Sequence, residues 1–279
     1  MILGNASWGF REIPLEKQLE ITRSNGLKLL ELGIGGHAND FLQLNASDED
    51  IAKVKELFSQ YEIELVCAST GNDFTETDAK ACEESAENVK KVIEIASKLG
   101  IKYLRIFAGF SPVSEITGER WERMMKCLND VLKHGQKFNV LPAIETHGGV
   151  EEYLDGIRHF PSTTTDKAVF EKLISELEYP LGIVFDPANL GAVGMNSAEV
   201  IEWYECFKLQ ISFFHLKDFA GTAGGAIEPC ACGEGQLDWE MIWKTVKSSP
   251  CPGLIEYEIP ESVEQGIETT LNNFRKYEA

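Results

Sequence analysis

No stretch of this 279-residue chain reaches the roughly 18 consecutive apolar residues that a membrane-spanning helix needs, and the N-terminal segment MILGNASWGFREIPLEKQLE carries neither the basic nor the apolar part of an export signal. A soluble, cytoplasmic protein is expected. Basic residues are scarce as well: 26 Lys and Arg face 45 Asp and Glu, a formal net charge of −19. Such a chain repels phosphate backbones and anionic lipid surfaces, so neither nucleic acid nor a membrane is an expected partner. Long Pro-, Ser- or charge-rich linkers are missing, which leaves one domain over residues 1–279. The seven cysteines are odd in number and scattered through apolar or helical contexts, unlike a small secreted disulfide scaffold. Cys230 and Cys232 form a lone C-x-C, and without a second pair they make no zinc site.

What the sequence does have is alternation. Short β-rich runs (ILGNASW, KLLELG, IELVCAST, IKYLRIF, VLPAIETH, LGIVFD, QISFFHL and GLIEYE) take turns with longer amphipathic patterns. Helices are predicted over DEDIAKVKELFSQY, KACEESAENVKKVIEIASKLG, ERWERMMKCLNDVLKHG, AVFEKLISELE, LDWEMIWKTVKSS and ESVEQGIETTLNNFRKY. Several stop at Gly or Asn, as SKLG and KFN do. Eight β-then-α units in series suit an α/β fold, a single (β/α)8 TIM barrel, because closure removes both sheet edges and about 250 residues suffice. A doubly wound open sheet would want a G-x-G-x-x-G turn after its first strand, and GNASWGFREI does not supply one. Pro142 lacks the N–H of a ladder bond and is expected at the beginning of its strand. The glycine-rich stretch AGTAGGAIEPCACGEGQLDW after the seventh strand reads as a long loop whose amides near a helix start can hold an anion.

In such a barrel, chemistry gathers at the C-terminal ends of the strands. The last four strand candidates each finish in a side chain able to bind metal: Glu145 in LPAIETHGG, Asp186 in GIVFDPANL, His215 in SFFHLKD and Glu256 in LIEYEIP. Their separations of 41, 29 and 41 residues are about one βα unit each. Any one of them alone reads as a helix cap, a loop solvator or a satisfied core histidine. Four at successive strand ends read as a site. Three carboxylates and one imidazole suit one divalent ion, Mn2+ first, then Mg2+ or Co2+, with Zn2+ an alternative.

Residues two apart in a strand share a face, so His147, Lys217 and Glu258 are expected to line the pocket above these four. Arg105 in YLRIF and Glu31 in LLELG interrupt apolar strands in the same way, either as pocket groups or as charge pairs within the barrel. Trp8, at the end of the first strand, is a candidate aromatic wall.

With ETHGG (Glu145, His147), DPANL (Asp186, Asn189), HLKD (His215, Lys217, Asp218), GEG at 233–235 and Glu256, the chain resembles the xylose-isomerase-like barrel superfamily over essentially its whole length, in particular the sugar phosphate isomerase/epimerase branch. The resemblance implies a divalent metal held by Glu145, Asp186, His215 and Glu256, with Glu145 and Glu256 also serving as catalytic acid and base on opposite faces of the substrate. Asn189 stands where ketose 3-epimerases of the group usually carry a histidine; an amide can hydrogen-bond a hydroxyl but does not titrate near neutrality. The substrate-binding candidates are therefore His147, Asn189, Lys217, Glu258, Arg105 and Trp8.

The expected activity is isomerisation or epimerisation of a small sugar, sugar phosphate or polyol through an enediolate. The Glu-x-His pattern also looks like the metal site of 3-dehydroshikimate dehydratases on the same barrel. A metal-dependent dehydratase of the 3-dehydroshikimate or inosose type is thus the enzymatic alternative, and a non-catalytic sugar-binding module the alternative of another class. Five histidines do not suit the histidine-rich trinuclear zinc cluster of endonuclease IV, which shares the barrel. Related barrels form dimers or tetramers, so the resemblance admits a homodimer or homotetramer.

Overall fold

The computed structural model describes residues 1–154, 156–221 and 225–279. Its strands are β1 (Leu3–Asn5), β2 (Leu29–Leu30), β3 (Leu32–Gly33), β4 (Cys67–Ser69), β5 (Tyr103–Ile106), β6 (Leu141–Glu145), β7 (Gly149–Tyr153), β8 (Gly156–Phe160), β9 (Gly182–Phe185), β10 (Ile211–Leu216), β11 (Asp218–Gly221), β12 (Ile227–Cys230) and β13 (Gly253–Ile255). The larger sheet runs β2-β1-β13-β10-β9-β6-β5-β4-β3 with parallel pairs throughout. Its two ends, β2 and β3, are halves of one strand interrupted at Glu31. The sheet therefore closes into the expected (β/α)8 TIM barrel.

The helices are α1 (Leu15–Ser24), α2 (Asp48–Tyr61), α3 (Ala79–Leu99), α4 (Gly118–Phe138), α5 (Lys167–Glu176), α6 (Pro187–Ala192), α7 (Ser197–Phe207), α8 (Trp239–Val246) and α9 (Val263–Glu278). Six match the predicted patterns, and α1, α6 and α7 are additional. Helix α3 stops at Gly100 and α4 at Asn139, both left-handed at φ 81° and 56°, which turns the chain towards the next strand. No helix among the described residues is long and apolar enough to cross a membrane, and all seven cysteines are free thiols.

Period two sorts the strand residues into two cores. Leu30, Ala68, Leu104, Ile144, Ile183, Phe185, Phe214 and Ile255 point outwards into the cluster shared with the helices. Inside the barrel, one side chain from each staves the floor: Ala6, Leu29, Cys67, Tyr103, Ala143, Val184, Phe213 and Leu254. Two residues further along, the same inward face carries Trp8, Glu31, Ser69, Arg105, Glu145, Asp186, His215 and Glu256. An apolar layer is thus followed by a polar one, and all but Trp8 of the polar layer are buried. Pro142 is the second residue of β6. The amide of Thr146 donates to Val184, so the even-numbered amides of β6 face β9, whose pairing begins only at Ala143↔Gly182. The missing N–H of Pro142 falls before that ladder starts and costs no bond.

One expectation is corrected. The stretch after the seventh barrel strand is not an irregular loop: β11 and β12 lie in a second, antiparallel sheet of order β11-β12-β8-β7, joined across Ile157↔Ile227. Residues 222–224 of that stretch lie outside the described residues. Phe219 and Ile227 pack on Ala188 and Ala192, which seats this sheet on α6. The adjacent glycines of ETHGG make the junction: a side chain at Gly149 would collide with the Phe160 ring and the Phe110 carbonyl.

Candidate metal centre

The barrel register brings Glu145, Asp186, His215 and Glu256 together with ligand-competent atoms all within 4.8 Å of one another, and all four residues are buried. Each arrives for a local reason. Asp186 is the N-cap of α6: one oxygen, Oδ1, accepts the Asn189 amide at 3.0 Å, and Pro187 takes the first helical position. Its Oδ2 has no hydrogen bond among the described residues, although Lys217 Nζ stands 3.2 Å away. The helix-cap reading and the ligand reading are therefore both satisfied, by different oxygens.

His215 faces the cluster through Nδ1, 3.2 Å from Glu145 Oε1 and 3.4 Å from Glu256 Oε1. Its Nε2 stands 3.2 Å from Glu31 Oε1. The second oxygen of Glu31 accepts the Ser7 amide at 3.0 Å and its hydroxyl at 2.9 Å, and that hydroxyl also lies 2.6 Å from Ser69 Oγ. Glu31 is thus locked as a carboxylate that orients the imidazole from behind and leaves Nδ1 for the cluster. Glu31→Gln is expected to weaken Mn2+ binding by roughly 10–100-fold with the fold intact. Calorimetric titration of the two proteins checks this, and equal affinity would remove the orienting role.

Two bases flank the group. Arg105 Nε lies 3.3 Å from Glu145 Oε2, and its Nη1 donates to the Thr70 carbonyl at 2.9 Å. Lys217 Nζ reaches Glu256 Oε2 and Glu258 Oε1, both at 2.9 Å. Each glutamate therefore gives one oxygen to the cluster and the other to a base. Lys217 does not pair with Asp218, whose Oδ2 instead accepts the amides of Gly233 and Gly235 at 3.1 and 2.9 Å. The anion held by the GEG amides is the chain's own carboxylate, so the expected anion pocket in that loop is occupied from within.

Burial opposes charge throughout, and neighbours decide the outcome. Burial pushes Asp186 up, partly offset by Lys217 and reinforced by Glu145 and Glu256, to about 8. Burial would also lower His215, yet Glu256, Glu31 and Glu145 outweigh it and hold the ring well above the usual imidazole range. Glu145 is held below the ordinary carboxylate range because His215 and Arg105 overcome its burial. Five carboxylates, those of Glu31, Glu145, Asp186, Glu256 and Glu258, face three cations, Arg105, Lys217 and the protonated His215. A divalent cation fits this surplus of negative charge, and Asp186 Oδ2, which makes the ion pair with Lys217 but no hydrogen bond, offers it a donor.

Above the group opens a cavity of about 430 Å³. Glu145, Glu256, Arg105, His147, Lys217, Glu258 and Trp8 all line it. Asn189 does not line it. It is fully buried beneath Glu145, donating Nδ2 to Glu145 Oε1 at 3.2 Å, because its place in the first turn of α6 points it at the strand ends rather than the opening. Ser7, Ser69, His37, Asp40 and His159 line the cavity without having been singled out as site residues. Step-two parity from Cys67 leads to Ser69; His159 comes from the second sheet, for which no periodic signal was read.

A closed barrel with four ligand-competent side chains on consecutive strand ends defines a (β/α)8 protein with a candidate metal centre. The xylose isomerase-like TIM barrel family model matches residues 19–277, and the chain belongs to that family. No curated protein sequence matches it. Among solved structures it is similar to a probable 3-DHS dehydratase, AsbF, involved in petrobactin synthesis from Bacillus anthracis, at 15% identity and TM-score 0.77 over 98% of this chain and 99% of that one. It is similar to the IolI protein with a bound zinc atom at 18% identity and TM-score 0.77, over 99% and 98% of the two chains. A D-tagatose 3-epimerase-like protein matches at 17% identity and TM-score 0.74, over 99% and 97%. At these identities the likeness carries the fold.

Proposed function

We propose that the protein is a divalent-metal-dependent isomerase or epimerase that moves a proton next to the carbonyl of a small polyol. The observation that carries this reading is the arrangement of Glu145 and Glu256. Both line the cavity, each turns one oxygen to His215 Nδ1, and each turns the other to its own base. Glu145, Asp186, His215 and Glu256 hold the ion, Mn2+ by the hardness of the set. When bound, such an ion polarises a carbonyl and an adjacent hydroxyl and lowers the cost of an enediolate.

The rest is the work of the chain. One glutamate removes the proton α to the carbonyl and the other returns one, which is general acid–base catalysis from two sides of a bound ligand. Arg105 and Lys217 fix the two carboxylates and supply positive charge where the substrate oxygens gain negative charge. His147 is a polar wall: its amide donates to Thr164 Oγ1 at 3.0 Å, and its Nδ1 lies 2.6 Å from the Gly148 carbonyl, leaving Nε2 for the ligand. Burial holds its ring neutral, at about 4, so it is a hydrogen-bonding group rather than a charge at neutral pH.

The test is incubation of the manganese-loaded protein in D₂O with ketoses, aldoses, inososes and 3-dehydroshikimate, each followed by mass spectrometry beside a chelated control. Metal-dependent gain of one deuteron in a recovered polyol is the expected result. Loss of water would assign a dehydratase instead, and unchanged compounds throughout would favour a binding module.

A further inference from the structure

The cavity changes character from floor to mouth. Its floor is ionic, but its upper wall is built from Phe107 and Phe110 on one side and from Val150, Ile157, Phe219 and Ile227 of the second sheet on the other. The His147 ring meets Phe107 and Phe110 edge-on, with centroids 5.2 and 5.4 Å away. His159, on β8, continues the row at 5.5 Å from the His147 ring and 5.7 Å from Phe219. Its Nδ1 is buried and has no hydrogen-bond partner among the described residues.

The Lys and Arg side chains that line the cavity are engaged. Arg105 holds Glu145, and Lys217 holds Asp186, Glu256 and Glu258. Arg11 donates to the carbonyls of Trp8 and Glu258, each at 3.1 Å. Asp40 adds a further carboxylate to the lining. A phosphate entering here would meet negative charge and committed cations, whereas a neutral ring would meet apolar and aromatic surface. The cavity volume of about 430 Å³ lies in the range that holds drug-sized ligands.

We propose that this upper wall is a second subsite and that the substrate is a conjugated, unphosphorylated polyol. Its carbonyl end reaches the carboxylates, and a neutral ring lies against the wall formed by Phe107, Phe110, Phe219 and the His159 ring. The inference rests on the reading of the floor given under Proposed function. The ring is an aryl group or a second sugar; both offer an apolar face.

Calorimetric titration of the manganese-loaded full chain with glucose, 4-O-benzylglucose, cellobiose and glucose 6-phosphate tests this, with binding as the readout. One of the two conjugates is expected to bind on the order of tenfold or more tighter than glucose, and the phosphate no tighter than glucose. Tighter 4-O-benzylglucose identifies an aryl group, and tighter cellobiose a second sugar. Ile157→Ser and His159→Ala, both on β8 at partly exposed positions, are expected to remove the preference and leave glucose binding unchanged. A preference for the phosphate, a preference that survives both substitutions, or equal or absent binding of all four compounds overturns the subsite. Proton exchange with free sugars alone would leave the chemistry standing without it. A conjugate preference without exchange would do the reverse.

Discussion

Glu256→Gln is expected to lower metal-dependent proton exchange by roughly 10²–10⁴-fold, the range that a positioned acid or base contributes, while the protein stays folded. The substitution keeps the volume and one acceptor oxygen but removes the charge that both binds the ion and takes up a proton. Stability is spared for an electrostatic reason. Lys217 keeps Asp186 at 3.2 Å and Glu258 at 2.9 Å, and the buried carboxylates around it lose one repulsive neighbour. Glu145→Gln is expected to behave alike, with Arg105 retaining its bond to the Thr70 carbonyl. Full exchange activity in both variants would remove the two glutamates from the chemistry.

The second large effect is on stability. Lys217 is 4% exposed and its ammonium is held within 3.2 Å of three carboxylates. Burial opposes its charge, but Asp186, Glu256 and Glu258 outweigh that and raise its pKa well above the ordinary lysine value. Lys217→Met keeps the stem and deletes the charge, leaving buried carboxylates uncompensated at a cost of about 3–5 kcal/mol. In chelated protein this corresponds to a Tm lower by about 6–20 °C. With Mn2+ added the loss is expected to shrink, because the ion neutralises Asp186 and Glu256. Thermal denaturation with and without chelator reads both numbers. The same small change in both conditions would mean that Lys217 is an ordinary strand-end lysine.

The site was legible where it is periodic. Stepping by two from the apolar inward residues Ala143, Val184, Phe213 and Leu254 leads to Glu145, Asp186, His215 and Glu256, and on to His147, Lys217 and Glu258. The same step leads from Leu29 to Glu31, but its partner His215 is 184 residues away, so pairing inside the barrel and a place in the pocket could not be separated by pattern. In the structure Glu31 Oε1 stands 3.2 Å from Nε2 of that histidine. Ser69 stands inside the strand run IELVCAST but carries neither a charge nor a strong metal-ligating group to mark it. Asn189 was misplaced because DPANL shows a helix start without showing which way its first turn faces.

The second sheet was not legible at all. Its strands carry exposed, charged residues such as Glu151 and Glu152, and its ladder depends on Ile157 meeting Ile227 across 70 residues of barrel. Pairing of this kind is decided by what the barrel brings together, not by local propensity. The consequence is chemical, since His159 and half of the cavity's upper wall come from that sheet.

The proposed function requires the four strand-end residues to form one divalent-cation site. Titration of Mn2+ into chelator-treated protein, followed by the electron paramagnetic resonance of the free ion, tests it most directly. A single ion bound per chain in the unmodified protein, with binding lost in both Asp186→Ala and His215→Ala and kept in Cys230→Ser, is the predicted result. Failure of the unmodified protein to bind, or binding that neither alanine substitution disturbs, would contradict it.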